Sequence, residues 1–171
     1  MEKRISPLVT TYLEMRSPEQ LRAKPCGDPL FEVRERIERD WHFNRELYFR
    51  VGEPWNWIDK RSWTEAQWKE YAASPALRTF AAYFRGALAG YYELLRDHEG
   101  GVEIAYFGLL PELIGRGLGG ALLTRALEQA WQMQPPPARV WVHTCNRDHP
   151  QALANYRARG MTVYKIEKTP C

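Results

Sequence analysis

The stretch that decides the fold runs Gly100-Gly101-Val102-Glu103-Ile104-Ala105-Tyr106-Phe107-Gly108-Leu109-Leu110-Pro111-Glu112-Leu113-Ile114-Gly115-Arg116-Gly117-Leu118-Gly119-Gly120-Ala121-Leu122-Leu123. From Val102 to Leu110 it is a mostly apolar and aromatic run bounded by Gly100-Gly101 and Pro111, the pattern of a largely buried strand. Four glycines then fall within residues 115–120. Behind them Leu122, Leu123, Ala126, Leu127, Ala130 and Trp131 repeat as one helical stripe, with Thr124, Arg125, Glu128, Gln129 and Gln132 opposite. Strand, glycine turn and helix together set backbone N–H groups and a positive helix end against a phosphate. Glycine permits positive φ and lets the backbone approach an anion closely. The plainer alternative is a β–α turn that only needed flexibility.

Downstream, Pro135-Pro136-Pro137 stops the helix and Val140-Trp141-Val142 resumes as a strand. Asp148 ahead of Pro150 predicts a helix start and Gly160 its end, with Met161 to Ile166 closing as a strand. Upstream, Val9 to Met15 has strand composition, Pro25-Cys26-Gly27-Asp28-Pro29 is turn chemistry, and Phe31 to Ile37 alternates as a half-buried strand. Asn44 to Arg50 predicts a short helix ending near Gly52. Trp55, Trp57, Trp63 and Trp68 follow, with Thr64-Glu65-Ala66-Gln67 as a helix start. Thr79 to Phe84, Arg85-Gly86 and Ala87 to Leu95 read as a hairpin with a tight turn. Neither a repeat nor a low-complexity linker interrupts this order, so one α/β (α+β) domain over residues 1–171 is expected.

Composition narrows the function classes. With 44% hydrophobic and 26% charged residues the chain is of ordinary globular make-up, which excludes wholesale disorder. No run approaches the roughly 18 apolar residues of a bilayer span. Met1-Glu2-Lys3-Arg4-Ile5-Ser6-Pro7 has no apolar core, so no signal peptide is expected and a cytoplasmic location is. A net charge of +3, dispersed along the chain, does not point to nucleic acid. Cys26, Cys145 and Cys171 are odd in number and lack a CxxC pair, which suits a reducing compartment. His143, Cys145 and His149 match no zinc spacing and read as a strand end and a turn, so no metal is expected.

The glycine turn leaves several phosphate ligands to weigh. Gly115, Gly117 and Gly120 satisfy the G-x-G-x-x-G dinucleotide pattern. That pattern also calls for an acidic residue about 20 positions on, where the next strand here ends in Val142-His143-Thr144-Cys145. About fifty residues follow the motif, too few for the remaining units of a Rossmann domain. A P-loop fails because no Gly-Lys-Ser/Thr follows the turn.

Pro111 to Leu123 resembles the acetyl-CoA pyrophosphate loop of the GCN5-related N-acetyltransferase (GNAT) family. Ala152-Leu153-Ala154-Asn155-Tyr156-Arg157-Ala158-Arg159-Gly160-Met161 is similar to that family's closing helix and strand. The likeness covers about residues 100–166; the first half follows the family only in the order of its elements. It implies a mixed, mostly antiparallel central sheet flanked by helices, with a splayed strand pair holding acetyl-CoA as co-substrate. Residues 100–166 would form the acetyl-CoA half and 1–99 the variable acceptor side. The resemblance gives Phe107, Leu109, Ile114, Gly115, Arg116, Gly117, Leu118, Gly119, Gly120 and His149 to the cofactor. Two of these depart from the family: Ile114 replaces a usual Gln or Arg, and His149 stands where many members have Asn.

Acetyl transfer needs an uncharged amine, a polarised thioester carbonyl and a proton for the thiolate. The resemblance implies Glu103 as general base and Tyr156 as the group that protonates the CoA sulfur, with the Leu109 N–H facing the thioester carbonyl. Each has a plainer reading. Glu103 can pair with an arginine across the sheet, and Tyr156 can be a core contact beside Leu153. His143 is either a proton relay or a hydrogen-bonded strand end. The tryptophans between 55 and 68, Trp57 among them, with Tyr92 and Tyr106 either wall an acceptor pocket or fill a helical core. The expected activity is N-acetylation of a primary amine on a small molecule or peptide by direct attack on the thioester. A non-catalytic acyl-CoA-binding module is the alternative. Neither nucleic acid nor membrane is expected as a partner, and a homodimer is left open.

Overall fold

Arg85 and Gly86 both take positive φ, 51° and 81°, which is the twist a two-residue hairpin requires. They join β3 (Leu77–Phe84) to β4 (Ala87–Arg96) as the glycine-containing turn predicts. Around this hairpin the chain forms β1 (Leu8–Met15), β2 (Phe31–Glu35), α1 (Trp41–Gly52), α2 (Glu65–Ala73), β5 (Val102–Leu109), α3 (Leu118–Trp131), β6 (Val140–Cys145), α4 (Ala152–Ala158) and β7 (Thr162–Thr169). This computed structural model describes residues 6–170. Cys171 and most of the segment read for a leader, Met1 to Ile5, lie outside the described residues. Among the described residues no helix is long and apolar enough to cross a membrane.

The strands form one mixed sheet in the order β2-β3-β4-β5-β6-β1-β7. Every neighbouring pair is antiparallel except β5 and β6, which run parallel. On one face the apolar stripe of α3 (Leu122, Leu123, Ala126, Leu127, Ala130) packs with Leu13, Tyr92, Leu94, Ile104, Val140 and Val142 into the main core. On the other face α1 covers β4 and β5 through Leu47, Val51, Tyr91 and Leu110. Gly108 makes that contact close, because a Cβ there would run into the Val51 side chain.

Two helix starts differ from the sequence reading. α1 begins earlier than Asn44: Asp40 caps it and accepts a hydrogen bond from the His42 N–H at 3.0 Å. α4 begins later than Asp148, which does not cap it. That carboxylate instead accepts from Thr144 Oγ1 (2.6 Å) and the Cys145 N–H (2.9 Å), tying down the end of β6. The Thr64 start holds, with Thr64 and Gln67 forming a reciprocal capping box.

The segment from β1 to β2 crosses α3 and α4 as a strap. The Arg22 N–H donates to the Arg159 carbonyl at 2.9 Å and the Lys24 N–H to Thr124 Oγ1 at 2.9 Å. Gly160 ends α4 with φ at 102°, and the Gln20 carbonyl of the strap occupies the space its Cβ would need. Gly160→Ala is therefore expected to lower stability by about 2–3 kcal/mol, from left-handed strain and loss of strap docking. Urea unfolding checks this through a lower midpoint at unchanged slope.

Candidate active site

β5 and β6 pair in parallel at only two positions, Val102 with Val140 and Glu103 with Trp141. Beyond them both strands continue unpaired to each other, to Leu109 and Cys145, and a gap opens. The Leu110 N–H donates to the Ala89 carbonyl of β4 at 2.8 Å, and Leu109 stands opposite Gly90. In an antiparallel ladder that makes Leu109, and Phe107 two residues back, members of non-bonded pairs whose N–H groups face away from β4. Those amides point into the gap.

At the end of β5 the glycine turn closes the gap. Gly115 and Gly117 take φ of 84° and 75°, and nothing lies within 4 Å of where their Cβ atoms would be. Gly117 is the capping residue of α3, so the free N–H groups of the first helical turn follow it directly. Leu118 buries its side chain, 2% exposed, and offers only its backbone. Asn155 Nδ2 of α4 donates to the Gly119 carbonyl at 3.1 Å, fixing the turn from the far side of the gap.

Three cations surround this end of α3. The Lys24 and Arg159 side chains lie 2.7 and 2.6 Å from the position of a Gly120 Cβ, and Arg116 projects from the turn itself. Arg159 Nε and Nη1 are enclosed without a hydrogen-bond partner, and neither Lys24 nor Arg116 pairs with a carboxylate among the described residues. Arg85, by contrast, is neutralised by Asp28 at 2.9 Å. A groove of about 530 Å³ runs between Lys24–Asp28, Phe84–Arg85 and Arg116–Leu118. Like charges at a positive helix end repel unless an anion sits among them, so the donor set fits the phosphates of a nucleotide-bearing ligand.

The chemical groups lie further along the gap. Tyr156 is 6% exposed, and its ring centre lies 6.1 Å from that of Phe107. Its hydroxyl bonds to no described residue, and burial holds its pKa above the ordinary phenol value, so it stays protonated. It is a core ring that keeps its phenolic proton. Glu103 Oε1 lies 3.5 Å from His143 Nε2 across the two strands, so its partner is a histidine, not an arginine. Burial raises the Glu103 carboxyl above the usual range, with His143 and then Lys60 pulling it back. His149 accepts a hydrogen bond from the Gln151 N–H through Nδ1 and stands 4.8 Å, ring to ring, from Trp55. Ile114 brings no polar group to the turn.

The aromatic residues divide. Trp57 lies 5.2 Å from Tyr106, ring to ring, against Gly52, whose missing Cβ makes room for the indole. Trp63 and Trp68 form a small helical core with Tyr48 and Tyr71, and Tyr48 joins it to Trp57 and Tyr106 at 5.7 and 5.5 Å, ring to ring. Tyr92 does not join Trp57 and Tyr106: it is fully buried on the opposite face, stacked on Phe80 beneath α3. Adjacent strand residues face opposite sides, and it is Tyr91 that lies under α1. Asp59, Lys60, Asn155, Lys24 and Arg159 escaped the sequence reading. Asp59 and Lys60 sit with Arg61 in a short charged run between Trp57 and Trp63, the one signal that marks them. Among the described residues no three His, Cys, Asp or Glu side chains are grouped to hold a metal.

The acetyltransferase (GNAT) family model matches residues 34–161. A GCN5-related N-acetyltransferase from Sphaerobacter thermophilus superposes with a TM-score of 0.72 at 16% identity, over 96% of this chain and 51% of that one. One from Kribbella flavida gives 0.65 at 15% identity, over 96% and 61%. An aminoglycoside acetyltransferase from an uncultured soil metagenomic sample gives 0.59 at 17% identity, over 77% and 88%. The chain thus spans 51% and 61% of the first two structures. Curated proteins yield no match. With the family model covering most of its length and this splayed sheet beneath the match, the chain belongs to the GNAT acetyltransferase family.

Proposed function

We propose that this protein transfers the acetyl group of acetyl-CoA to a primary amine of a small molecule or peptide, by direct attack on the thioester and without a metal. The observation that carries the reading is the gap between β5 and β6, with the glycine turn at one end and Glu103 and Tyr156 on its two sides. Residues 100–166 supply most of the acetyl-CoA side, and the strap adds Lys24 to it. The backbone of Gly115 to Gly120 would hold the pyrophosphate, with Arg116, Lys24 and Arg159 supplying the charge that Ile114 does not. Bound there, acetyl-CoA supplies an activated acetyl thioester.

The chain's own groups do the rest. Gap-facing N–H groups of β5, Leu109 above all, are preorganised donors for a carbonyl oxygen that gains charge. Glu103, held by His143, accepts the proton of an alkylammonium whose pKa near 10 would otherwise leave it almost wholly charged. Tyr156 holds a proton that a departing thiolate can take. Trp57 and Tyr106 form the wall on the acceptor side, a surface suited to the apolar part of an amine.

Acetyl-CoA is expected to raise the melting temperature and NAD to leave it unchanged. At 100 times its dissociation constant the ligand adds about 2.7 kcal/mol. A shift with NAD and none with acetyl-CoA overturns the reading. Gly119→Val is expected to keep the fold, since its Cβ would meet only Asn155 Nδ2 at 3.7 Å. Affinity for CoA should fall at least about tenfold as bare backbone is covered. Titration calorimetry checks it.

Tyr156→Phe is expected to lower kcat by about 10², the low end for general acid catalysis, because a thiolate leaves readily. Acetyl-CoA binding should persist. Glu103→Gln should abolish the acid limb of kcat/KM: as pH falls through the raised Glu103 pKa the carboxylate takes up a proton and can accept no other. Both are read from free CoA released with an amine panel.

A further inference from the structure

Lys60, in the segment between Trp55 and α2, is 6% exposed. Its Nζ lies 3.2 Å from the centre of the Tyr71 ring, 4.4 Å from Trp63, 4.5 Å from Tyr106 and 5.7 Å from Trp68. No carboxylate of the described residues comes within ion-pairing distance of it. Ring faces stabilise an ammonium without neutralising it, whereas a salt bridge turns the pair into a dipole whose field fades quickly. Burial lowers the Lys60 pKa to about 8, which still leaves the group mostly charged at neutral pH. The chain therefore keeps a buried ammonium without a salt-bridge partner inside the acceptor-side wall, its charge supported first by Glu93 and then by Asp59 and Glu103.

Three carboxylates feel that charge: Glu93, Asp59 and Glu103. Two of them also accept hydrogen bonds, although burial still pushes the Glu93 carboxyl up. Glu93 of β4 accepts from Asn44 Nδ2 at 2.7 Å and from the Tyr71 hydroxyl. Asp59 accepts from the Tyr48 hydroxyl at 2.9 Å and from that of Tyr106. Glu103 has only His143 of β6, while Asp97, beyond the end of β4, opposes its ionisation. On β1 the nearby carboxylate, Glu14, is spent on Arg16 and Arg139. α1 and α2 offer this region Tyr48 and Tyr71 but no cation. Lys60 reaches Glu103 over the ring of Tyr106, which shares with Glu103 the face of β5 turned away from α3.

We propose that Lys60 is a positioning residue for the reaction: its ring-held ammonium joins His143 in favouring the ionised form of Glu103, and its grip on Tyr106 holds the wall beside it. The part of Lys60 in the reaction rests on Glu103 being the base.

The test is a carbon-13 titration of the Glu103 carboxyl in the full chain without ligand, in the wild type, Lys60→Met and Lys60→Arg. In Lys60→Met the midpoint should rise by about one pH unit, a tenfold change in proton affinity, and Lys60→Arg should restore it. An unmoved midpoint in folded Lys60→Met overturns the proposal. Should Lys60→Met fail to fold, the reciprocal measurement decides. The Lys60 Cε titration should shift to lower pH in Glu103→Gln, and an unchanged titration overturns the coupling. The acid limb of kcat/KM should then move upward in Lys60→Met by as much as the carboxyl midpoint. A midpoint that moves without the limb overturns the role of Lys60 in the reaction and that of Glu103 as base. It leaves the acetyl-CoA stabilisation, and with it the proposed cofactor, standing.

Discussion

The parting of β5 from β6 after two residue pairs is the constraint on which everything else in this molecule depends. A parallel pair that stops bonding leaves a row of backbone N–H and C=O groups facing each other across a gap, and such groups are costly to bury unmet. The fold keeps the gap open by giving each strand a full partner on its other side. β5 is bonded to β4 nearly to its end, and β6 is bonded to β1 at six positions from Cys145 to Val140. Neither strand needs the other to be stable. β1 does a further task, since it also carries β7 on its far edge and the strap that follows it crosses α3 and α4. The strand that comes first in the chain thus secures the half of the sheet made by its last two strands.

Along that gap the electrostatics are divided. One end gathers positive charge without a counter-ion: the first turn of α3, Lys24, Arg116 and the enclosed nitrogens of Arg159. The other end holds groups whose protonation is set by burial, Tyr156 raised and protonated, Glu103 raised but countered by His143 and Lys60. A ligand with phosphates at one end and a reactive carbonyl at the other matches this order. The aromatic wall under α1 and α2 is built on the same economy of polar groups. Asn44, Tyr71, Glu93, Tyr48, Asp59 and Tyr106 form bonded pairs that join α1, α2, β4 and β5, and Lys60 sits over the rings of that network.

Local patterns were legible where one element carries its own reason. The Arg85-Gly86 hairpin, the α3 stripe, the Thr64 box and the stop at Gly160 each depend on residues within a few positions of one another. Misreadings arose where two local solutions competed. Asp148 is a good helix cap by type, yet the Thr144 hydroxyl and Cys145 amide lie nearer its carboxylate. Tyr91 and Tyr92 are chemically alike neighbours that must point to opposite faces, and nothing local says which face receives α1.

The residues alone determined the glycine turn and the amphipathic helix behind it. Those properties follow from φ preferences and a 3.6-residue period, which are local. They also placed Glu103 on a strand before the turn and Tyr156 on a helix after it. Only the tertiary structure decided that Glu103 meets His143, that Tyr156 meets Phe107, and that Lys24 from the strap joins Arg159 at α3. It alone enclosed Lys60 among rings drawn from three parts of the chain. Such meetings depend on which strands neighbour which and where their pairing ends, and that is settled by the packing of the whole sheet between its helices rather than by any short stretch of sequence.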